Sequence, residues 1–427
     1  MAVAAVALAA CGDGSSSDDG SEEGASTGAG DALVLGGVGP LSEPGDVASG
    51  QQMEWAMKRA IDDLNADGGI LGRQVEITFE DTQGQPDVAA SVAKRMIDRN
   101  EAVAVAGEVN SGGALGAIPT YSDAGLPVVF VDTWDDRITG GDPEDPTLPA
   151  NPATIFRIAP STSYTNDVQM TWLRDGVEAK KVVHVVEASE YGIAATATLQ
   201  ESLGDNGIAL ETVEVELNQP DYTSVLSRIA TEHEDADVLF LDVTGESGQA
   251  IVRNAIDSGV LDGRKCLANS TIGRDAEFWA AAPDGVGCVF PVIGPLPSET
   301  TDEAAALAEA YESDTGSSPI HVIYYSYDAI MLLADAIERA GSTDSAAIVT
   351  ALEETDYRGL AGPYVFPFGS ANQLPADEPS WRWHQLEQPG FHLSQYTERD
   401  QAKNDAPVVW PPEGQTDAGT AYHEVDR

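Results

Sequence analysis

Lysine is nearly missing from this chain. Six are present among 427 residues, and all 22 basic residues together face 71 acidic ones, for a formal net charge of -49. Such a polyanion repels nucleic acid and anionic membrane surfaces, which excludes both as partners. Abundant acid with scarce lysine points instead to a protein bathed in salt, which screens self-repulsion. Long apolar runs are also lacking: none approaches the ~20 residues of a membrane span. Neither G-x-G-x-x-G nor G-x-x-x-x-G-K-[ST] occurs, so the common dinucleotide and phosphate cradles are absent. The six histidines (184, 233, 321, 384, 392 and 423) include no pair at metal-ligand spacing. No cofactor and no metal are expected.

Two motifs imitate chemistry without its context. "GASTG" from Gly24 has the letters of a nucleophile elbow but lies in low-complexity sequence with no strand before it. Asp63, Asn65, Asp67 and Gly68 stand at positions 1, 3, 5 and 6 of a calcium loop. Position 12 is Gln74, which cannot supply the bidentate carboxylate, and the glycines also suit a helix stop. A hydrolase using Ser111 or Tyr191 would need a triad signature that is not there. The chain is read as no enzyme.

Cysteine is limited to positions 11, 266 and 288. "AVAAVALAAC" followed by "GDGSSSDDGSEEG" has the form of a bacterial lipoprotein signal: residues 1–10 the signal, Cys11 the lipidated residue, 11–30 a flexible tether. A buried N-terminal strand is the alternative. The signal lacks a positive n-region, which would be expected if the start lay inside a longer signal. The membrane would then be touched only through the lipid anchor. Export would make Cys266 and Cys288 a candidate disulfide; two separate buried thiols remain the alternative.

Past the tether, apolar runs such as "ALVLGGVG", "QVEITFED", "AVAVAGEV" and "LPVVFVD" alternate with segments of helical period. The first of these places Met53, Ala56, Met57, Ala60, Ile61 and Leu64 on one face. The alternation restarts after a proline-dotted stretch at 139–152, with "KVVHVVEAS", "IALETVEVE", "DVLFLDVT", "KCLANS" and "GVGCVFPV" as strands. This is an α/β pattern with two parallel sheets covered by helices. Toward the end, "WRWHQLEQPGFHLSQYT" suggests a hairpin turning at 388–390. Two similar α/β units without a catalytic motif suggest two lobes with a ligand between them.

"AGEVNSGGALG", from Ala106 to Gly116, has the order strand, glycine-rich turn, helix start. Its bare N–H groups suit an anion, and Glu108 in place of a lysine argues for a carboxylate over a phosphate. Ser111, Gly112 and Gly113 supply a hydroxyl and N–H donors; a tight turn needing glycine is the plain alternative.

"LNADGGILGRQVEITFEDTQGQPDVAASVAKRMI" resembles the signature region of the type I periplasmic-type binding proteins, in the branched-chain amino-acid branch. "LGGVGPLSEPG", "FRIAPST", "EASEYG" and "PVVWPPE" agree in order and spacing, from about 32 to 412. The resemblance implies two Rossmann-like lobes joined by a three-crossing hinge. Lobe 1 would be 31–157 with 292–360, and lobe 2 would be 158–291 with 361–427. It implies a ligand carboxylate at Ser111, Gly112 and Gly113, with Thr133 and Trp134 beside it. Trp134 would stack a flat or apolar ligand portion or pack at the lobe interface. Tyr191 would close over the ligand or cap its helix. Thr244 matches a position that is aromatic in the family.

Ser270 matches the acid that pairs with an α-ammonium, yet Asn269, Ser270 and Thr271 are all neutral. Either Asp242 or Glu246 takes that role, or the ligand has no ammonium. The expected function is an extracytoplasmic solute-binding lipoprotein of an ABC importer. As a monomer it would deliver a small carboxylate-bearing or amide ligand to the permease transmembrane subunits. A sensory binding protein on the same fold, acting on a separate signalling partner, is the alternative.

Overall fold

The computed structural model describes residues 32–425 except 220, 274, 295, 297, 298 and 388. The signal, Cys11 and the whole tether lie outside the described residues. The first sheet has the order β2-β1-β3-β4-β5 and is parallel throughout. Its strands are β1 (Leu33–Gly39), β2 (Val75–Asp81), β3 (Val105–Gly107), β4 (Val128–Phe130) and β5 (Ile155–Arg157). Between them run α1 (Val47–Ala66), α2 (Pro86–Asp98), α3 (Ser111–Ala124) and the short α4 (Arg137–Gly140). Strands β3, β4 and β5 are wholly buried, as continuous apolar runs in a doubly covered sheet should be.

Helix α1 starts where the Asp46 side chain accepts the Ser49 N–H. It buries Met53, Ala56, Met57, Ala60 and Ile61, the face expected from the sequence. Its end explains the residues that imitate a calcium loop. Asn65 donates to Val75 O at 2.9 Å and accepts from Val75 N at 2.8 Å, pinning the helix terminus to β2. The Pro86 turn of α2 and α3 pack closely because Gly116 has no side chain. A Cβ there would lie 2.5 Å from Pro86 Cα.

The second sheet has the order β14-β13-β10-β9-β8-β6-β7. Strands β6 (Lys181–Glu187), β7 (Ala209–Val215), β8 (Val238–Asp242), β9 (Lys265–Ala268) and β10 (Cys288–Ile293) are mutually parallel. Helix α5 (Thr162–Thr171) leads in; α6 (Glu190–Asp205), α7 (Thr223–Glu232), α8 (Gly245–Asp257) and α9 (Asp275–Ala281) connect the strands. Edge strand β7 is mostly exposed and carries Glu211 and Glu214, which discourages further pairing. Cys266 and Cys288 sit directly opposite each other on β9 and β10, Cα atoms 4.5 Å apart, and form a disulfide.

From β10 the chain returns to the first sheet. Helices α10 (Asp302–Thr315), α11 (Val322–Ala340) and α12 (Ser345–Glu353) follow, then the hairpin β11 (Asp356–Gly359) and β12 (Gly362–Val365). Helix α11 packs on α1 through one core that includes Met53, Met57, Tyr325, Ala329 and Leu333. Buried Asp328 ties the hairpin down, accepting from Leu360 N, Ala361 N and Tyr364 Oη, each at 2.8 Å. The chain then crosses a third time, to β13 (Phe391–Gln395) and β14 (Val408–Trp410), which extend the second sheet antiparallel.

The hairpin expected in "WRWHQLEQPGFHLSQYT" is therefore not formed. Its first half bridges β5, Arg157 opposite Gln385, and its second half pairs with β10. Gly390 sits tightly against Gly294 at this crossing. The two apolar halves have long-range partners in different sheets.

Candidate ligand-binding cleft

The C-terminal ends of both sheets face one another across a cavity of about 350 Å³. Ligands collect at such strand ends in α/β folds. Its first-sheet wall includes Asp46, Ser49, Asn110, Ser111, Gly112, Asp132, Trp134 and His321. Its second-sheet wall includes Glu187, Ser189, Glu190, Tyr191, Thr244, Asn269 and Ser270. No lysine or arginine lines it among the described residues.

The start of α3 presents free hydrogen-bond donors at the cavity. The first intrahelical bond runs from Ala114 N to Asn110 O, which leaves the N–H groups of Ser111, Gly112 and Gly113 without an intrahelical acceptor. Asn110 contributes no side-chain cap. Ser111 Oγ accepts from Trp134 N at 3.2 Å and Asp135 N at 3.3 Å, so its own proton is uncommitted. These hydrogen bonds hold the hydroxyl as a donor rather than prepare it as a nucleophile.

Glu108 lies beneath this helix start with φ at 68° and 1% exposure. Its Oε1 accepts from Val109 N and Asn110 N, both at 3.1 Å. Burial pushes its carboxyl up to about 7 against the opposing pull of the Thr82 hydroxyl and those N–H groups, with Asp81 adding repulsion. Gly113 packs closely above it, since a Cβ there would fall 2.7 Å from Glu108 Oε2.

The loop carrying Trp134 is fastened from below by Arg157, which is fully buried. Its Nη1 donates to Asp135 O at 2.6 Å and its Nε to Gln385 Oε1. Burial lowers its guanidinium to about 10. Trp134 Nε1 donates to Asp132 Oδ1 at 2.8 Å, and His321 Nε2 lies 2.9 Å from the same oxygen. Across the cleft, the Trp134 and Tyr191 rings meet edge to face, centroids 6.3 Å apart.

On the opposite wall, Tyr191 Oη donates to Asp242 Oδ1 at 2.8 Å, and Asn269 Nδ2 donates to the same oxygen at 2.8 Å. Burial first, then the Asp242 charge, pushes the Tyr191 phenol well above its ordinary value, so it stays protonated. Glu187 Oε2 accepts from Thr244 N at 2.8 Å and Thr244 Oγ1 at 2.6 Å, and Glu187 Oε1 from Ser189 Oγ at 2.7 Å. Burial raises the Glu187 carboxyl while those donors oppose the shift.

Of the residues singled out in the sequence, Ser111, Gly112, Trp134, Tyr191, Thr244, Asn269 and Ser270 line the cavity. Gly113, Thr133 and Asp242 stand just behind its surface: Thr133 is fully buried and Asp242 is 2% exposed beneath Tyr191. Glu246 lies away from this cavity. Sequence reasoning missed Asp132, Glu187 and His321. The first two close β4 and β6, and their strand-end position was the available signal; His321 opens α11 with no local signature.

Known proteins share this architecture. The chain is 25% identical over 315 residues to an amino acid binding protein of Pseudomonas aeruginosa, covering 74% of this chain and 80% of that one. The branched-chain amino acid transporter substrate binding protein LivJ of Streptococcus pneumoniae, solved in complex with isoleucine, superposes with a TM-score of 0.71. The two are 21% identical, with 89% of this chain and 100% of that one covered. A solute binding protein of an ABC transporter from Rhodopseudomonas palustris, in complex with 3,4-dihydroxy benzoic acid, gives a TM-score of 0.70 at 20% identity, covering 86% and 93%. Residues 33–377 match the periplasmic binding protein family, and on that match over most of its length the chain belongs to this family.

Proposed function

We propose that this chain is the extracytoplasmic solute-binding lipoprotein of an ABC importer, anchored through Cys11 as a monomer. It binds one small carboxylate-bearing ligand in the cleft and presents it to the permease transmembrane subunits. The observation that carries this reading is the set of uncommitted donors at the start of α3. The Ser111 hydroxyl and the N–H groups of Ser111 and Gly112 stand at a cavity between two sheets, with the Gly113 N–H just behind them. Lobe 1, residues 31–157 with 292–360, supplies this seat. Lobe 2, residues 158–291 with 361–427, closes over it with Tyr191, Asn269, Ser270 and Thr244, while Asp242 supports Tyr191 from behind. Binding and hand-over need no covalent step.

Native mass spectrometry of the purified protein tests this reading. A single retained carboxylic acid at 1:1, released on denaturation, supports it. Conversion of bound ester or amide during incubation would replace it with a hydrolytic one.

A further inference from the structure

Two glutamines are buried where an apolar side chain would pack at less cost. Gln52 on α1 is 3% exposed, and Gln249 on α8 is 5% exposed. Gln52 Oε1 accepts from Ile320 N at 2.9 Å, which leaves its Nε2 hydrogens uncommitted. The Gln249 amide has no hydrogen-bond partner among the described residues, and both ends of it reach the cavity that Gln249 lines. A buried amide left unpaired is destabilising, so each of these groups calls for a partner.

Both amides open onto one cavity of about 530 Å³ beside the cleft. The two cavities share only Asn218 among their lining residues. Ser49 of α1 faces the cleft, while Ala48, Gln51 and Gln52 line the second cavity together with Tyr311 of α10. The other side gives Gln249 and Arg253, one turn apart on α8, and Glu277 of α9. One wall therefore belongs to helices over the first sheet and the other to helices over the second.

The lining is polar nearly throughout. Ser247 Oγ accepts from Asn218 N at 2.8 Å and keeps its own proton. Gln51, Asn218 and Gln219 form an exposed amide rim. Arg253 is half-buried and in no ion pair, although its charge reaches Asp221. Two carboxylates, Glu246 and Glu277, line the same space, so no excess of positive charge is there to hold an anion. Amide groups offer donors and an acceptor side by side, which is what neighbouring hydroxyls require. Tyr311, set edge to face on Trp55 with centroids 5.2 Å apart, adds a fixed aromatic wall. Such a lining suits a molecule that is polar over its whole surface, not an anionic group on an apolar body.

We propose that this cavity is a second small-molecule site, separate from the cleft, for a neutral polyhydroxylated compound, with Gln52 and Gln249 as its buried recognition groups. The occupant touches helices over both sheets and braces one against the other. The inference does not depend on carboxylate binding at α3.

Calorimetric titration and thermal melting of the full chain with myo-inositol, D-glucose and trehalose test it, with sulfate and 1,4-diaminobutane as charged controls. At least one of the three polyols is expected to bind saturably and to raise the melting temperature, and neither control is. Gln249→Met should weaken that polyol about tenfold or more, because no donor or acceptor replaces the amide. It should not lower the melting temperature of the polyol-free protein, since the amide has no protein partner to lose. Arg253→Met also weakens the polyol, and decides the matter if Gln249→Met does not fold. Ser111→Ala, which alters the cleft, should leave polyol affinity within about twofold. No binding by any of the three leaves water as the partner of these amides and overturns the inference. Polyol binding that survives both substitutions, or that is lost in Ser111→Ala, places the polyol elsewhere and overturns it too. Binding of either charged control that Arg253→Met or Gln249→Met abolishes would replace the polyol with a charged ligand.

Discussion

Arg137 Nη2 lies 2.7 Å from Glu190 Oε2, tying the segment after β4 to the first turn of α6 across the cleft. Asp135 and Asp142 hold the same guanidinium from its own side. Glu190 is therefore the removable half of a cross-cleft tie. Its side chain is half exposed, so the tie is worth at most about 1 kcal/mol. Glu190→Gln is expected to raise the ligand dissociation rate several-fold with little change in melting temperature. Stopped-flow dissociation measures it; an unchanged rate would show that the tie does not hold the cleft closed.

Gly113→Ala puts a methyl 2.7 Å from the Glu108 carboxylate, so the buried Glu108 side chain or the start of α3 must shift. Overpacking of this kind costs about 1–3 kcal/mol. Both the melting temperature and the ligand affinity should fall, since the start of α3 must shift. Gly112→Ala is the control, because a Cβ there has no neighbour closer than 3.8 Å.

Glu108 also makes stability depend on pH. Its carboxyl is raised from the ordinary 4.5 to about 7, so the folded state binds more protons than the unfolded state between those values. Stability should therefore fall as pH rises from about 4.5 to 7, by roughly 3 kcal/mol from this group. Buried Asp328, raised to about 6, acts in the same direction. Glu353, lowered to about 2 by His384 and Ser370 against its own burial, acts oppositely and only in acid. Urea unfolding across this range should show the decline, and Glu108→Gln should flatten its upper part. Ionised Glu108 also opposes an anion on α3, so carboxylate affinity should weaken as pH passes 7.

The net charge of -49 gives a simpler expectation. Screening of self-repulsion should move the urea midpoint upward between 0.05 and about 1 M potassium chloride, where the Debye length shrinks to about 3 Å. A midpoint that does not move would mean that the acids are too well spread for repulsion to count.

Legibility in the sequence followed the range of the interactions involved. The α1 face, the strand series and the glycine-rich start of α3 are local patterns, and residues 49–64 and 106–116 carried them openly. The segment 381–397 misled because its partners are β5 and β10, more than 90 residues away. Asp242 was correctly placed at the end of β8, but its role beneath Tyr191 depends on β6 and β9 neighbours that sequence spacing cannot register. Glu187 was overlooked for the same reason: its importance lies in Thr244, 57 positions further on. The open choice between a disulfide and two thiols was decided by strand register, with Cys266 directly opposite Cys288.

The most direct test of the central claim is calorimetric titration of the intact protein and its Ser111→Ala variant with the carboxylate it retains on purification. Loss of one donor to a charged ligand group should weaken binding by about 1.5–3 kcal/mol, or tenfold to a hundredfold, at unchanged 1:1 stoichiometry, with a lower melting temperature because Trp134 N and Asp135 N lose their acceptor. Equal affinity of the two proteins would contradict an anion seat at the start of α3.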